Sequence, residues 1–76
     1  MDAKKTALEI LSGLSGRDAD QIEPGMDLVA DLGIDSPKAL QLLLDLEEKL
    51  DIEISDEDAA KMDTVGDVLD FVGATA

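Results

Sequence analysis

The chain has 76 residues, 45% of them apolar, enough for one small core and a single domain over residues 1–76. With neither cysteine nor histidine, it excludes disulfides, thiolate chemistry and the usual zinc ligands. Nineteen acids against six bases give a formal net charge of −13, which excludes a nucleic-acid footprint and favours basic protein surfaces and divalent cations as counterparts.

Residues 2–15 place Ala7, Ile10, Leu11 and Leu14 on one face at i, i+3, i+4 and i+7 and predict the first helix. Gly16 is its expected stop, and Gly13 is expected to fray its last turn. The same stretch carries Asp2, Lys4, Lys5 and Glu9, so it lacks the apolar run of a signal peptide. Nothing approaches the length of a membrane span, and the chain reads as cytoplasmic, without stable membrane insertion.

Residues 16–35 form a long loop, with a turn signal at "EPG" (residues 23–25) and one helical turn expected over residues 27–30. A loop of this length in a small domain needs anchors, and Ile22, Met26, Leu28, Val29, Leu32 and Ile34 are the apolar residues available. The stretch "DADQIEPG" (residues 18–25) begins like a calcium loop, but Ile22 and Gly25 break the ligand and glycine pattern. Weak divalent binding by clustered surface acids is expected instead, without a specific metal site, and a melting shift with magnesium is its test.

The second helix is predicted over residues 37–50, with Ser36 as N-cap and Pro37 at the first helical position. "DIEI" (residues 51–54) reads as extended. Ser55 opens "SDED" and Thr64 opens "TVGD", two capping boxes closed by Asp58 and Asp67. They predict a short third helix over residues 56–61 and a fourth over residues 65–72. Val65, Val68, Leu69 and Val72 line the buried face of the fourth, Gly73 is its expected stop, and "ATA" is a tail. The fold class is therefore all-α: three main helices and a short one, with a long loop between the first two.

A helix advances about 100° per residue. On that wheel Ala39, Leu42, Leu43, Leu46 and Leu50 fall within an arc of roughly 100°, which marks a core stripe. Leu40 and Leu44 lie about 100° and 140° from its centre, with Pro37 beside Leu44. Either they touch a neighbouring helix at the core margin, Leu40 the more buried of the two, or they form an exposed apolar strip below Ser36. Glu47, Glu48 and Asp51 flank it; an exposed strip with acidic flanks suits docking of a basic partner.

Ser36 has two readings as well. A serine before a helix is ordinarily a cap. As a catalytic nucleophile it lacks a histidine base, and Lys38, two residues on, points elsewhere around the helix. There is no catalytic site to assign. Attachment of a group by another enzyme asks only for an exposed hydroxyl. An attached phosphodiester would sit at a helix N-terminus, where the dipole and free N–H groups favour negative charge. Gly33 keeps one side uncluttered, and Asp35 is placed to orient the serine or hold the modifying enzyme's metal ion.

These residues resemble the acyl carrier protein family. The motif D-L-G-x-D-S is Asp31 to Ser36, L-E-E-x-[hydrophobic]-D-x-E-I is Leu46 to Ile54, D-E-D-A is Asp56 to Ala59, and T-V-G-D is Thr64 to Asp67. The resemblance runs from the first helix to Val72. It implies a stand-alone, monomeric four-helix bundle whose Ser36 receives 4′-phosphopantetheine from coenzyme A through a phosphopantetheinyl transferase, and whose imported thiol then carries acyl groups in fatty acid or lipid biosynthesis. It also implies that the acyl chain can retreat into the bundle. The second helix becomes the recognition helix, with Pro37, Lys38, Leu40, Gln41, Leu44, Glu47 and Glu48 on its docking face. Acyl-ACP synthetase, ketosynthase and acyltransferase enzymes with basic patches become the expected partners.

The chain departs from the family pattern at Pro37, usually leucine, at Lys38 and Gln41, usually acidic, and at Leu50, often aromatic. Those changes point to a specialised carrier with a dedicated set of enzymes. The alternatives are an aminoacyl, peptidyl or polyketide carrier, or an unmodified acidic binding module. Peptidyl carriers often show glycine where Ile34 stands, and loading by adenylating enzymes is the test.

Overall fold

A computed structural model describes residues 2–75. Its helices are α1 (Ala3–Ser15), α2 (Ser36–Leu50), α3 (Asp56–Ala60) and α4 (Val65–Thr75), with a 3₁₀ turn at Ala19–Gln21. No strand forms among the described residues, only an isolated antiparallel bridge between Asp27 and Thr64.

The apolar spacing read from the sequence is what the core uses. Ala7, Ile10 and Leu11 of α1, Leu42 and Leu46 of α2, and Val65, Val68 and Val72 of α4 are buried together. Ala39, Leu43, Leu50, Leu14 and Leu69 are half-buried at its margin. Asp2, Lys4, Lys49, Leu50 and Gly73 line one hollow, so the start of α1 lies beside the ends of α2 and α4. Ser36 stands at the other end of α2, about 21 Å away by helical rise.

The long loop is stitched down. The Leu28 N–H donates to the Asp63 carbonyl (3.0 Å), Val65 N–H to Met26 (2.9 Å) and Gly66 N–H to Pro24 (2.8 Å). A side chain at Gly66 would put a Cβ 3.1 Å from the Pro24 carbonyl oxygen, so glycine allows the closest of these approaches. Ile22, Leu28, Leu32 and Ile34 are buried as anchors, and Met26 is half-buried. Residues 18–25, which begin like a calcium loop, are used instead for the 3₁₀ turn, buried Ile22 and the Pro24 carbonyl tie. The turn expected over residues 27–30 reaches Gly33, whose N–H donates to the Val29 carbonyl (3.0 Å), and the Asp27 carboxylate accepts the Val29 and Ala30 N–H groups (both 2.9 Å).

Four expectations need correction. Gly13 does not fray α1, which runs to Ser15 and stops at left-handed Gly16 (φ 77°). Gly73 does not stop α4, which continues to Thr75; Ala76, the last residue of the expected tail, lies outside the described residues. Gly73 is not among the glycines at positive φ, unlike Gly16, so it continues the helix instead of turning out of it. Val29 is no anchor: it is 66% exposed. The helical geometry of its turn points Leu28 and Leu32 inward, four residues apart, and leaves Val29 outside. Finally, α3 ends at Ala60, one residue early.

Candidate functional site

The site is the start of α2. Ile34 is buried, and its N–H donates to the Leu28 carbonyl (2.9 Å), which fixes the backbone two residues before the serine. Gly33 turns the chain at φ 67°, a left-handed conformation that favours glycine. Space around it is open, so its role is this turn and not relief of crowding.

Ser36 is not the N-cap. Asp35 is: its carboxylate accepts the Lys38 N–H (3.2 Å) and its carbonyl accepts the Ala39 N–H (2.7 Å). Ser36 is the first helical residue and Pro37 the second, one position later than the sequence suggests. An ionised carboxylate is favoured at a helix start by the dipole, so Asp35 displaces its neighbour from the cap. The Ser36 hydroxyl is left on an exposed residue, outside the capping bond. The expected supply of free N–H groups is smaller than thought. Pro37 has none, and those of Lys38 and Ala39 are taken.

Below the serine, Leu40 is 59% and Leu44 49% exposed, which settles the exposed-strip reading. Leu40 is the more exposed of the two, contrary to expectation. The chain returning from α2 passes Glu47, whose carboxylate accepts the Ile54 N–H (3.0 Å), and so flanks the lower half of the helix while Leu40 stands above it. Pro37, Lys38, Gln41 and Glu48 are exposed, and Gln41 Nε2 donates to the Asp45 carboxylate (2.8 Å).

A cleft of about 420 Å³ opens between the loop, the first turns of α2 and the approach to α4. Val29, Ile34, Ala39 and Met62 form its apolar walls, and Asp27 and Asp63 its polar ones. Sequence reasoning did not single out Met62 or Ala39 for this place. The available signal was an apolar residue, Met62, kept in a connection. A hollow of about 530 Å³ beside Lys4 and Lys49 is larger but lies at the opposite end of α2 from Ser36.

Known proteins are similar to this chain in sequence and in shape. The family described as phosphopantetheine attachment site matches residues 5–72, nearly the whole chain and the stretch that contains Ser36. The chain belongs to that family. A solved Mycobacterium tuberculosis structure, described as "a putative acyl carrier protein", is similar over 95% of this chain and 96% of its own, at 36% identity and a TM-score of 0.87. An acyl carrier protein from Enterococcus faecalis is similar over the whole of both chains, at 30% identity and a TM-score of 0.79. The resemblance to acyl carrier proteins and the small helical bundle are thus borne out. Members of this phosphopantetheine-attachment family are carriers with no catalytic activity of their own, and they hold 4′-phosphopantetheine covalently after a phosphopantetheinyl transferase adds it. The start of α2 fits such a group: an exposed hydroxyl, open space at Gly33 and a rigid backbone behind. No helix among the described residues is long and apolar enough to cross a membrane.

Proposed function

We propose that the protein carries acyl groups as thioesters on a 4′-phosphopantetheine joined to Ser36 Oγ, in fatty acid, lipid or related acyl-chain biosynthesis in the cytoplasm. The observation that carries this reading is the cap at Asp35. It holds the start of α2 without using the serine hydroxyl, which stays exposed for a transferase. The carboxylate oxygen of Asp35 not bonded to Lys38 is free to hold a divalent ion that the transferase brings. The cleft walled by Ile34, Ala39 and Met62 opens within one turn of Ser36 and offers apolar cover for the first part of an acyl chain.

Docking falls to Pro37, Leu40 and Leu44, with Glu47 and Glu48 drawing in basic residues of ketosynthase, acyltransferase or acyl-ACP synthetase partners. Lys38 and Gln41 make the surface nearest the serine less acidic than the rest, which supports dedicated enzymes over general ones. The first test is intact mass after incubation with coenzyme A and a broad-specificity phosphopantetheinyl transferase. One phosphopantetheine gained by the wild type and none by Ser36→Ala supports the attachment. No gain with that transferase or with a cognate one refutes it. Equal or better acyl loading by general synthases than by dedicated ones would refute the partner assignment alone.

A further inference from the structure

Glu47 belongs to two structures at once. On the helical wheel it lies about 20° from both Ser36 and Leu40, about 16 Å down the helix from the serine, so a partner seated on the strip covers it. Its other contacts face the chain that leaves α2. The Asp51 N–H and the Ile52 N–H both donate to the Glu47 carbonyl, the latter at 3.2 Å, and the Ile54 N–H donates to its carboxylate at 3.0 Å. Asp51 makes the reversal in a left-handed conformation (φ 53°), which side-chain-bearing residues adopt at a cost. Ile52 and Ile54 pack against the core from this segment. The carboxylate bond therefore holds an otherwise strained return against the bundle.

We propose that Glu47 couples docking to the looseness of residues 52–54. A lysine or arginine of the docking enzyme pairs with the carboxylate and draws it from the Ile54 N–H. Ile54, released, packs less firmly, and the wall between α2 and α3 loosens while the partner is bound. The chemistry of the occupant follows from the charge: within six residues of Glu47, Glu48, Asp51 and Glu53 outnumber Lys49, in a chain of net charge −13, and a cation is what this field attracts. Glu47 is then a positioning residue, and partner binding and loosening compete for one carboxylate. The inference rests on the carrier reading for its occupant.

Amide exchange at Ile54 tests it, read by NMR on the Ser36→Ala protein, free and bound to a broad-specificity phosphopantetheinyl transferase with coenzyme A. The Ser36→Ala change keeps the complex from turning over. In the free protein Glu47→Ala is expected to speed Ile54 exchange about tenfold, the loss of one hydrogen bond to a charged acceptor, and to leave Leu11 and Val68 unchanged. Binding is expected to speed Ile54 exchange by a similar factor when Glu47 is present. Binding is expected to add nothing in Glu47→Ala. Glu47→Gln keeps an acceptor oxygen without the charge, so it should protect Ile54 in the free protein and abolish the response to the partner. Perturbed Leu40 and Leu44 signals with Ile54 unmoved or better protected would overturn the coupling, as would Glu47→Gln responding like the wild type. A wild-type chain that neither this transferase nor a cognate one binds or modifies would instead remove the carrier reading, and the occupant with it.

Discussion

Three helices open at a hydroxyl residue, and two of them use it differently from the third. At α3 the Ser55 hydroxyl accepts the Asp58 N–H (3.1 Å) and donates to the Asp58 carboxylate (3.0 Å). At α4 Thr64 Oγ1 accepts the Asp67 N–H (3.2 Å), while the Asp67 carboxylate accepts the N–H groups of Thr64 (3.1 Å) and Asp63 (3.0 Å). Both hydroxyls are consumed by the fold. At α2 an aspartate stands directly before the serine, takes the cap and moves the helix start one residue back. A one-residue shift thus separates a structural hydroxyl from one available for chemistry.

The sharpest break in that comparison is all-or-none. Ser36→Ala should lose the phosphopantetheine gain completely in intact mass, yet change urea-unfolding stability by no more than about 0.5 kcal/mol, as for an exposed residue outside any cap. A Ser36→Ala protein as destabilised as a cap mutant would show that the serine, and not Asp35, holds the helix.

The next effect tests the turn that presents the serine. Gly33→Ala forces a side chain into φ 67° and should cost about 1–2 kcal/mol, although no atom lies near enough to clash. Gly13 gives the contrast. It sits inside α1 with open space around it, and Gly13→Ala should stabilise by about 0.5–1 kcal/mol. Equal responses in chemical denaturation would remove the conformational argument for Gly33.

The consumed hydroxyls give a smaller effect. Thr64→Ala should lower stability by about 1 kcal/mol and leave modification of Ser36 intact. Ser55→Ala should cost less, because it caps a helix of only five residues. Denaturation midpoints in the order wild type, Ser55→Ala, Thr64→Ala would bear this out, and the reverse order would refute it.

Much of this was legible in the sequence because it is local. The i, i+3, i+4 spacing placed the buried faces of α1, α2 and α4, and the S-x-x-D and T-x-x-D patterns marked two helix starts correctly. The errors fall where a distant segment or a close competition decides. Gly73 reads as a stop because glycine permits the left-handed turn that ends α1 at Gly16, but glycine permits the helix as well, and at Gly73 α4 runs on. Val29 reads as an anchor because the bonds that orient its turn come from Asp63 and Val65. The Ser36 register depends on which of two adjacent acceptors takes the cap, and both are good caps. The tie from Glu47 to Ile54 joins a side chain of α2 to a backbone group beyond the helix end at Leu50, where the helical period no longer relates the two.

The smallest effect is a pH dependence confined to the α4 cap. The Asp63 and Thr64 N–H groups donate to the Asp67 carboxylate and hold its pKa below the ordinary 3.8, against an opposing push from partial desolvation. A carboxyl depressed in this way contributes stability that is fully present above 3.8, its unfolded value, and is lost as the pH falls through the lower folded value. Asp67→Asn keeps an acceptor oxygen but removes the titration. The wild type should therefore be the more stable at pH 6, and the gap should narrow as the pH is lowered below 3.8. Other carboxylates titrate in both proteins and cancel in the difference, so the narrowing belongs to this one. Urea unfolding of the pair at a series of pH values reads it directly. A gap that stays constant down to acid pH would mean that the Asp67 charge contributes nothing beyond the shape of its hydrogen bonds.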